Sequence, residues 1–172
     1  MSPGSDVVTV PRTGHGPLEN LPDQAVRCVI VLAASPLVED YTSLQALFHY
    51  PNWRVHSAST YQEAEAALRE NQVGVVICCE SIFPDGHSWT ELLDVAQAMK
   101  PPPPLLVADR LADDWLWAEV LRLGAFDLLM KPFDATEVFR VVSLATSQQD
   151  RGGVGQTFGE LTTTCRRLLN AY

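Results

Sequence analysis

The chain has 172 residues, of which 47% are hydrophobic and 19% charged, as expected for a soluble globular protein with one packed domain and short tails. Its formal net charge of −9 argues against binding to nucleic acid or to an anionic membrane surface. No apolar run approaches the roughly 20 residues of a bilayer span, and the N-terminus lacks a secretory pattern, so we expect a cytoplasmic protein.

The chain divides into three parts by composition. Residues 1–25 are rich in Pro, Gly and polar side chains without periodicity, which predicts a flexible N-terminal arm. In residues 26–146, short apolar runs alternate with stretches of helical periodicity. The predicted strands are "CVIVLAA", "WRVHSA", "GVVICC", "LLVA" and "AFDLLM". Residues 147–172 form a C-terminal extension whose part "ELTTTCRRLLNAY" is compatible with a short helix.

Five helical stretches follow the five strands. In the first, Leu37, Tyr41, Leu44 and Phe48 recur at helical spacing. Gly124 predicts the end of the fourth. Three pairs of residues, each three positions apart, predict the starts of the second, third and fifth: Ser59 with Gln62, Ser88 with Glu91, and Asp134 with Glu137. Such alternation predicts an α/β fold with a doubly wound parallel sheet, in which functional residues lie at the carboxyl ends of the strands.

Three features at those strand ends point to one family. They are the motif "MKPFD" (residues 130–134), the pair Gly124-Ala125 before the fifth strand, and Glu80 followed by Pro-Asp-Gly at residues 84–86. On five strand–helix units, these features resemble a response-regulator receiver domain of two-component signalling. The resemblance implies a flavodoxin-like (βα)5 fold with strand order 2-1-3-4-5.

The resemblance also implies a chemistry that this sequence is poorly equipped to perform. In receivers, an aspartate at the end of strand three accepts a phosphoryl group from a histidine kinase, and two acids at the end of strand one help it to hold Mg²⁺. Here the phosphoacceptor position is Glu80, and the acidic positions are Ala33 and Ala34, which have no ligand atoms. The carboxylate of Glu80 lies one methylene further out, and such displacements can cost about 100-fold in rate.

The other three positions of the family site are its switch positions. The hydroxyl that binds the phosphoryl group is replaced by Asp109, which would repel an anion, and the aromatic residue by Leu128. Only Lys131 keeps the family identity. We therefore expect a degenerate pseudo-receiver that is not an enzyme and binds no cofactor, Mg²⁺ included.

Two interpretations of the remaining charges are open. Glu80 and Asp109 are both expected near Lys131. In the first interpretation, a Glu80–Lys131 pair holds the domain in one signalling conformation without phosphorylation. In the second, the site has decayed and the pair only satisfies two buried charges, since breaking such a pair costs about 3–5 kcal/mol whether or not it signals.

The helix over residues 113–123 is apolar on almost every side. We expect Ala118 and Leu121 to face the sheet, because they match sheet-facing positions of receivers. Candidate interface residues are then Trp115, Leu116, Trp117 and Val120. The resemblance implies a protein partner (a histidine kinase, an effector or a second copy) on this helix and the strand over residues 126–130. The alternative is a deeper core covered by the C-terminal segment.

A second class of function is a small-molecule binder, for a nucleotide or flavin, on the same fold. It would need a Gly- or Ser/Thr-rich phosphate loop after the first strand. The sequence there, "AASPLVED", offers only Ser35, followed by acids. The later segment "GGVGQTFG" lacks the Lys-Ser/Thr of a phosphate loop.

Overall fold

The computed structural model describes residues 28–79 and 83–150. The predicted N-terminal arm, Glu80 and residues 151–172 lie outside the described residues. The strands are β1 (Val29–Ala34), β2 (Trp53–Ala58), β3 (Val73–Cys78), β4 (Leu105–Asp109) and β5 (Asp127–Met130). The helices are α1 (Val38–Leu47), α2 (Tyr61–Glu70), α3 (Trp89–Ala98), α4 (Asp114–Leu123) and α5 (Ala135–Asp150). None of these described helices combines the length and the apolar character that crossing a membrane requires.

The five strands form one parallel sheet in the order β2-β1-β3-β4-β5. This confirms the predicted fold class and strand order. Right-handed crossovers between parallel strands place successive helices on the sheet faces. The chain moves outward through the sheet in opposite directions from β1 and from β3. A crevice is therefore expected at the carboxyl ends of these two strands, where the loops that follow them diverge.

Both faces of the sheet are covered, which explains why the strands are apolar throughout. Alternate side chains of β3 enter opposite layers: Val76 and Cys78 pack with α2, α3 and α4, whereas Val75 and Ile77 pack with α1 and α5. A strand buried on both sides has no polar face, as the sequence pattern predicted.

The predicted caps are confirmed at three of four helix ends. Glu91 accepts a hydrogen bond from the Ser88 backbone N–H at 2.7 Å, and Asp134 Oδ1 accepts one from the Glu137 N–H at 2.9 Å. Gly124 ends α4 with φ of 98°. The prediction for α2 was wrong by one residue. Its cap is Thr60, not Ser59, because Thr60 Oγ1 accepts from the N–H of Glu63, three positions further on.

The orientation of α4 differs from the predicted one. Val120 is fully buried in the core, and Leu116 and Trp117 pack against it, whereas Ala118 is exposed. Trp117 Nε1 donates to the Asp127 carboxylate at 3.0 Å and thereby fixes the rotation of the helix relative to β5. Val120 is therefore a core residue rather than an interface residue. Leu116 and Trp117 offer only part of their surface.

Trp115 is the predicted interface residue that α4 presents to solvent, with 75% of its surface exposed. In the first helix, Leu44 and Phe48 are buried as expected, whereas Leu37 is exposed and precedes the helix. In the first turn of α1, the residue that is buried is instead the carboxylate Asp40.

Candidate functional site

A buried cation occupies the carboxyl end of the sheet. Lys131 directly follows β5, and its side chain is only 8% exposed. Its ammonium donates to Asp40 Oδ2 at 2.8 Å and to the backbone carbonyl oxygen of Cys79 at 2.7 Å. These two bonds connect the end of β5 with α1 and with the end of β3.

Asp40 reaches this cation from the first turn of α1. Pro36 and the extended Leu37 end the strand–helix connection, so that α1 begins at Val38 and turns its third residue inward. The carboxylate also accepts a bond of 2.6 Å from Ser35 Oγ. Ser35 Oγ in turn accepts from the Leu37 N–H at 3.1 Å. The buried carboxylate thus has charged and neutral donors, as burial of a charge requires.

The sequence contained a signal for Asp40 that the prediction missed. Asp40 lies four residues before Leu44 and eight before Phe48, and therefore on the same helical face as these two core residues. A carboxylate on the apolar face of a helix needs a buried partner. Its partner Lys131 is 91 positions away, which no local pattern reveals.

Three further residues that the sequence analysis singled out are apolar and buried. Ala33 and Ala34 end β1, both fully enclosed, with their methyl groups in opposite core layers. Leu128 is buried in the core beneath α4.

Asp109 departs from the expectation in its side chain. The Asp109 carbonyl oxygen accepts from the Lys131 N–H at 2.9 Å, but its carboxylate accepts from the Leu111 N–H at 2.7 Å. The Lys131 ammonium therefore pairs with Asp40 rather than with Asp109. Because Glu80 lies outside the described residues, the Glu80–Lys131 pair stays a prediction.

A cleft of about 380 Å³ opens beside the Asp40–Lys131 pair. Its described lining residues are Glu39, Asp40, Ser43, Arg110, Lys131, Pro132 and Phe133. Two acids and two cations line it, so the cleft has no net excess of either charge. Within the described ranges, Arg110 forms no ion pair and is the one cation of the cleft that a ligand could engage without displacing Asp40.

The segment after Glu80 is tied to α2 and α3. The ring of His87 stacks on Tyr61 at 4.2 Å, and its Nδ1 lies 3.0 Å from Glu91 Oε1. The Ser88 backbone N–H, and secondly His87, hold the pKa of Glu91 below its ordinary value. Asp85 accepts from the Gln62 N–H at 3.3 Å. These contacts fix the loop over residues 83–88 against the α2–α3 side of the sheet.

Comparisons with known proteins agree with this architecture. No protein-family model matches the chain, and no curated protein matches it in sequence. Several solved structures do match the chain in fold. A signal receiver domain of an HD domain-containing protein from Pseudomonas fluorescens superposes with a TM-score of 0.64 at 21% identity, covering 73% of this chain and 99% of that one. A CheY-like response regulator receiver domain protein from Methanospirillum hungatei gives 0.62 at 19% identity, covering 73% and 98%.

A third neighbour is the receiver domain of a sensor histidine kinase from Pseudomonas aeruginosa, whose structure has a magnesium ion coordinated in the active site cleft. It gives a TM-score of 0.59 at 16% identity and covers 69% of this chain and 98% of that one. At these identities the likeness establishes the architecture. The chain has the α/β, flavodoxin-like fold of response-regulator receiver domains.

Proposed function

We propose that this chain is a receiver-like signalling module of a two-component or phosphorelay system. It acts by contact with a protein partner, is not an enzyme, and has a degenerate phosphoacceptor site that uses no Mg²⁺. The observation that carries this proposal is the pairing of Lys131 with Asp40, both buried at the carboxyl end of the sheet, because the resemblance gives this lysine the role of binding the new phosphoryl group.

The pairing changes what Lys131 can do chemically. Phosphoryl transfer needs positive charge that is available to the transferred group, and in receivers the metal and this lysine supply it. Here the ammonium already bonds to a carboxylate and a carbonyl oxygen. An incoming phosphoryl group would have to displace Asp40 or lie beside its negative charge, and either alternative costs free energy.

The end of β1 also does not fit a magnesium ion. Mg²⁺ is normally held by one or two carboxylates and waters in octahedral geometry. Ala33 and Ala34 contribute only methyl groups, and both are enclosed by core side chains. Asp40 is engaged by two donors, Ser35 and Lys131.

A second candidate function is the binding of a small molecule in the cleft. Its volume of about 380 Å³ lies at the lower end of the range of about 300–1,000 Å³ for ligand pockets. Arg110 could engage a carboxylate or phosphate there. A shift of the thermal unfolding midpoint on addition of nucleotide or flavin, lost in Arg110→Gln, would favour this function over the first.

The phosphotransfer part is tested with acetyl phosphate and Mg²⁺, with intact mass as the readout. We expect no Mg²⁺-dependent phosphoprotein from the wild-type chain, because both the metal ligands and an available lysine are missing. Glu80→Asp restores only the phosphoacceptor aspartate of the family, so we expect this variant, like the wild type, to give no Mg²⁺-dependent phosphoprotein. A receiver with a complete site serves as the positive control. A stable, Mg²⁺-dependent phosphoprotein that is lost in Glu80→Gln would overturn the proposal.

The partner part is tested with the purified phosphotransfer domains of histidine kinases from the source cell. We expect at least one to bind, and Trp115→Ala to weaken that binding by about tenfold or more, as for an exposed aromatic anchor. Ala66→Ser changes an exposed residue on α2 and is the matched control. If no such domain binds and the chain does not self-associate, the protein–protein part of the proposal is wrong.

A further inference from the structure

Three large apolar side chains are exposed at one end of the sheet. Leu111, Trp115 and Met130 are 80%, 75% and 50% exposed, and we call them the α4 patch. Met130 pairs with Asp109 across β4 and β5, and Leu111 follows Asp109 by two residues. Met130 is two residues after Leu128, so it lies on the side of the sheet that α4 covers. A grouping of this kind marks an interaction surface.

The rim of the α4 patch is acidic. Residues 109–115, "DRLADDW", contain three carboxylates and one guanidinium. In contrast, residues 151–172 contain three arginines and one glutamate, a net charge of +2, which leaves −11 on the rest of the chain. The N-terminal residues 1–27 contain two arginines and three acids and so carry −1. Of the two terminal segments outside the structure, the C-terminal one is complementary in charge to the patch.

The C-terminal segment is also complementary in its apolar pattern. In a helix over residues 159–172, Leu161, Cys165, Leu168 and Tyr172 would form one stripe, at spacings of four, three and four residues. At 3.6 residues per turn, Arg166 and Arg167 would lie about 130° from the centre of that stripe, one on each side, on the outer half of the helix. A docked stripe would therefore bring the net positive charge of the segment close to the acidic rim without placing either arginine against a particular carboxylate.

The chain is long enough to make this contact within one molecule. Gln149 Nε2 donates to the Val73 carbonyl oxygen at 3.5 Å, so α5 ends at the amino end of β3. The carboxyl end of α4 lies at the same edge of the sheet, but two strands away and on the opposite face, a path of about 22 Å from two helix–sheet separations of about 10 Å and two strand spacings. Residues 151–158 span up to about 26 Å when extended. A helix of residues 159–172 is about 21 Å long and α4 about 15 Å, so it can run up α4 to the patch.

We propose that residues 159–172 dock in cis as an amphipathic helix along α4, with the stripe of Leu161, Cys165, Leu168 and Tyr172 turned toward α4 and its C-terminal half on the α4 patch. This contact goes beyond the proposed function and does not depend on it, because it is argued from the chain's own residues and its test uses no partner. If a partner does use this face, the C-terminal segment is a built-in competitor.

Hydrogen exchange of the full chain, followed by mass spectrometry, tests the docking. We expect the amides of residues 161–170 to exchange about tenfold or more slower than in Leu161→Gln/Leu168→Gln, a factor that corresponds to about 1.4 kcal/mol. Trp115→Asp, a substitution in the α4 patch itself, should also remove the protection of these amides. The matched control, Thr163→Gln/Asn170→Gln, alters the opposite side of the helix and should keep it. Exchange of the wild-type segment at the rate of an unfolded chain would overturn the proposal.

A cysteine pair tests the position of the segment. Ala118→Cys lies one turn after Trp115 on the exposed side of α4, whereas Ala66→Cys lies on exposed α2 and serves as the control. A disulfide needs Cα atoms within about 7 Å, so mild oxidation should join Cys165 to position 118 and not to position 66. A link within one chain that persists on dilution supports the proposal. A link only between chains, which would mean docking on a second copy, contradicts it, as does equal linking at both positions.

Discussion

Two ion pairs of almost equal length lie in very different parts of this molecule. Asp40 and Lys131 are 2.8 Å apart at the carboxyl end of the sheet, and both side chains are 8% exposed. Glu119 and Arg122 are 2.7 Å apart on the outer side of α4, with 33% and 66% exposed. The first pair joins residues 91 positions apart, whereas the second joins neighbouring turns of one helix.

The difference shows that distance alone does not rank ion pairs. The α4 pair keeps most of its contact with water, so its formation changes little in free energy. The Asp40–Lys131 pair has lost most of its contact with water, and each charge depends on the other and on Ser35 and Cys79 for compensation. The buried pair therefore fixes the packing of α1, β3 and β5 against one another. The surface pair adds only a small stabilisation to a single helix.

The largest loss of stability is expected from a substitution that breaks the buried Asp40–Lys131 pair. Lys131→Met leaves the Asp40 carboxylate enclosed with only the Ser35 hydroxyl as a side-chain donor. We expect the free energy of unfolding to fall by about 3–5 kcal/mol, measured by urea denaturation. The control removes both charges: Asp40→Leu/Lys131→Met should recover most of the loss, because no unpaired charge is left buried. A single variant as stable as the wild type would show that the pair is not buried in solution.

The sequence predicted the backbone arrangement well and the side-chain partners poorly. The strand positions, the Gly124 helix end and the caps at Ser88 and Asp134 follow from local patterns of apolar runs and capping residues, which depend on near neighbours. The strand order was implied by the resemblance to receiver domains. Asp40 was missed because its meaning depends on Lys131, which only the folded chain brings near.

The rotation of α4 was mispredicted for a related reason. A helix that is apolar on most sides does not specify which side faces the sheet. The bond between Trp117 and Asp127 decides it and buries Val120, and neither residue forms a recognisable pair in the sequence. The misplaced cap at Ser59 shows the same limit at short range, since the adjacent Thr60 is equally able to cap α2.

An intermediate loss of unfolding free energy is expected when the same substitution, Val→Ala, is made at a buried position and compared with an exposed one. Val120 on α4 is fully buried, whereas Val38 on α1 is 76% exposed. Val120→Ala should lower the free energy of unfolding by about 2 kcal/mol, because it removes two buried methyl groups and leaves a cavity. Val38→Ala should stay within about 0.5 kcal/mol of the wild type. Equal losses in chemical denaturation would place Val120 on the surface, as the sequence analysis had expected.

The smallest expected effect concerns the surface pair and depends on pH. The hydrogen bonds from Arg122 hold the pKa of Glu119 below its ordinary value of 4.5. A carboxyl group with a lowered pKa in the folded state stabilises it fully above that ordinary value, and this contribution is lost as the pH falls through the folded pKa. Glu119→Gln should therefore be slightly less stable than the wild type at neutral pH, and the two should converge as the pH falls from 4.5 through the lower pKa of the folded state.

Salt separates this pair from the buried one. Exposed charges are screened over about 3 Å at 1 M ionic strength, so the difference between Glu119→Gln and the wild type should vanish there even at neutral pH. The loss in Lys131→Met should largely persist under the same conditions, because salt screens a mostly buried pair much less than an exposed one. Urea midpoints of both variants at low and high salt give the comparison. A difference for Glu119→Gln that survives 1 M salt would mean that this pair is shielded from solvent, which contradicts the prediction.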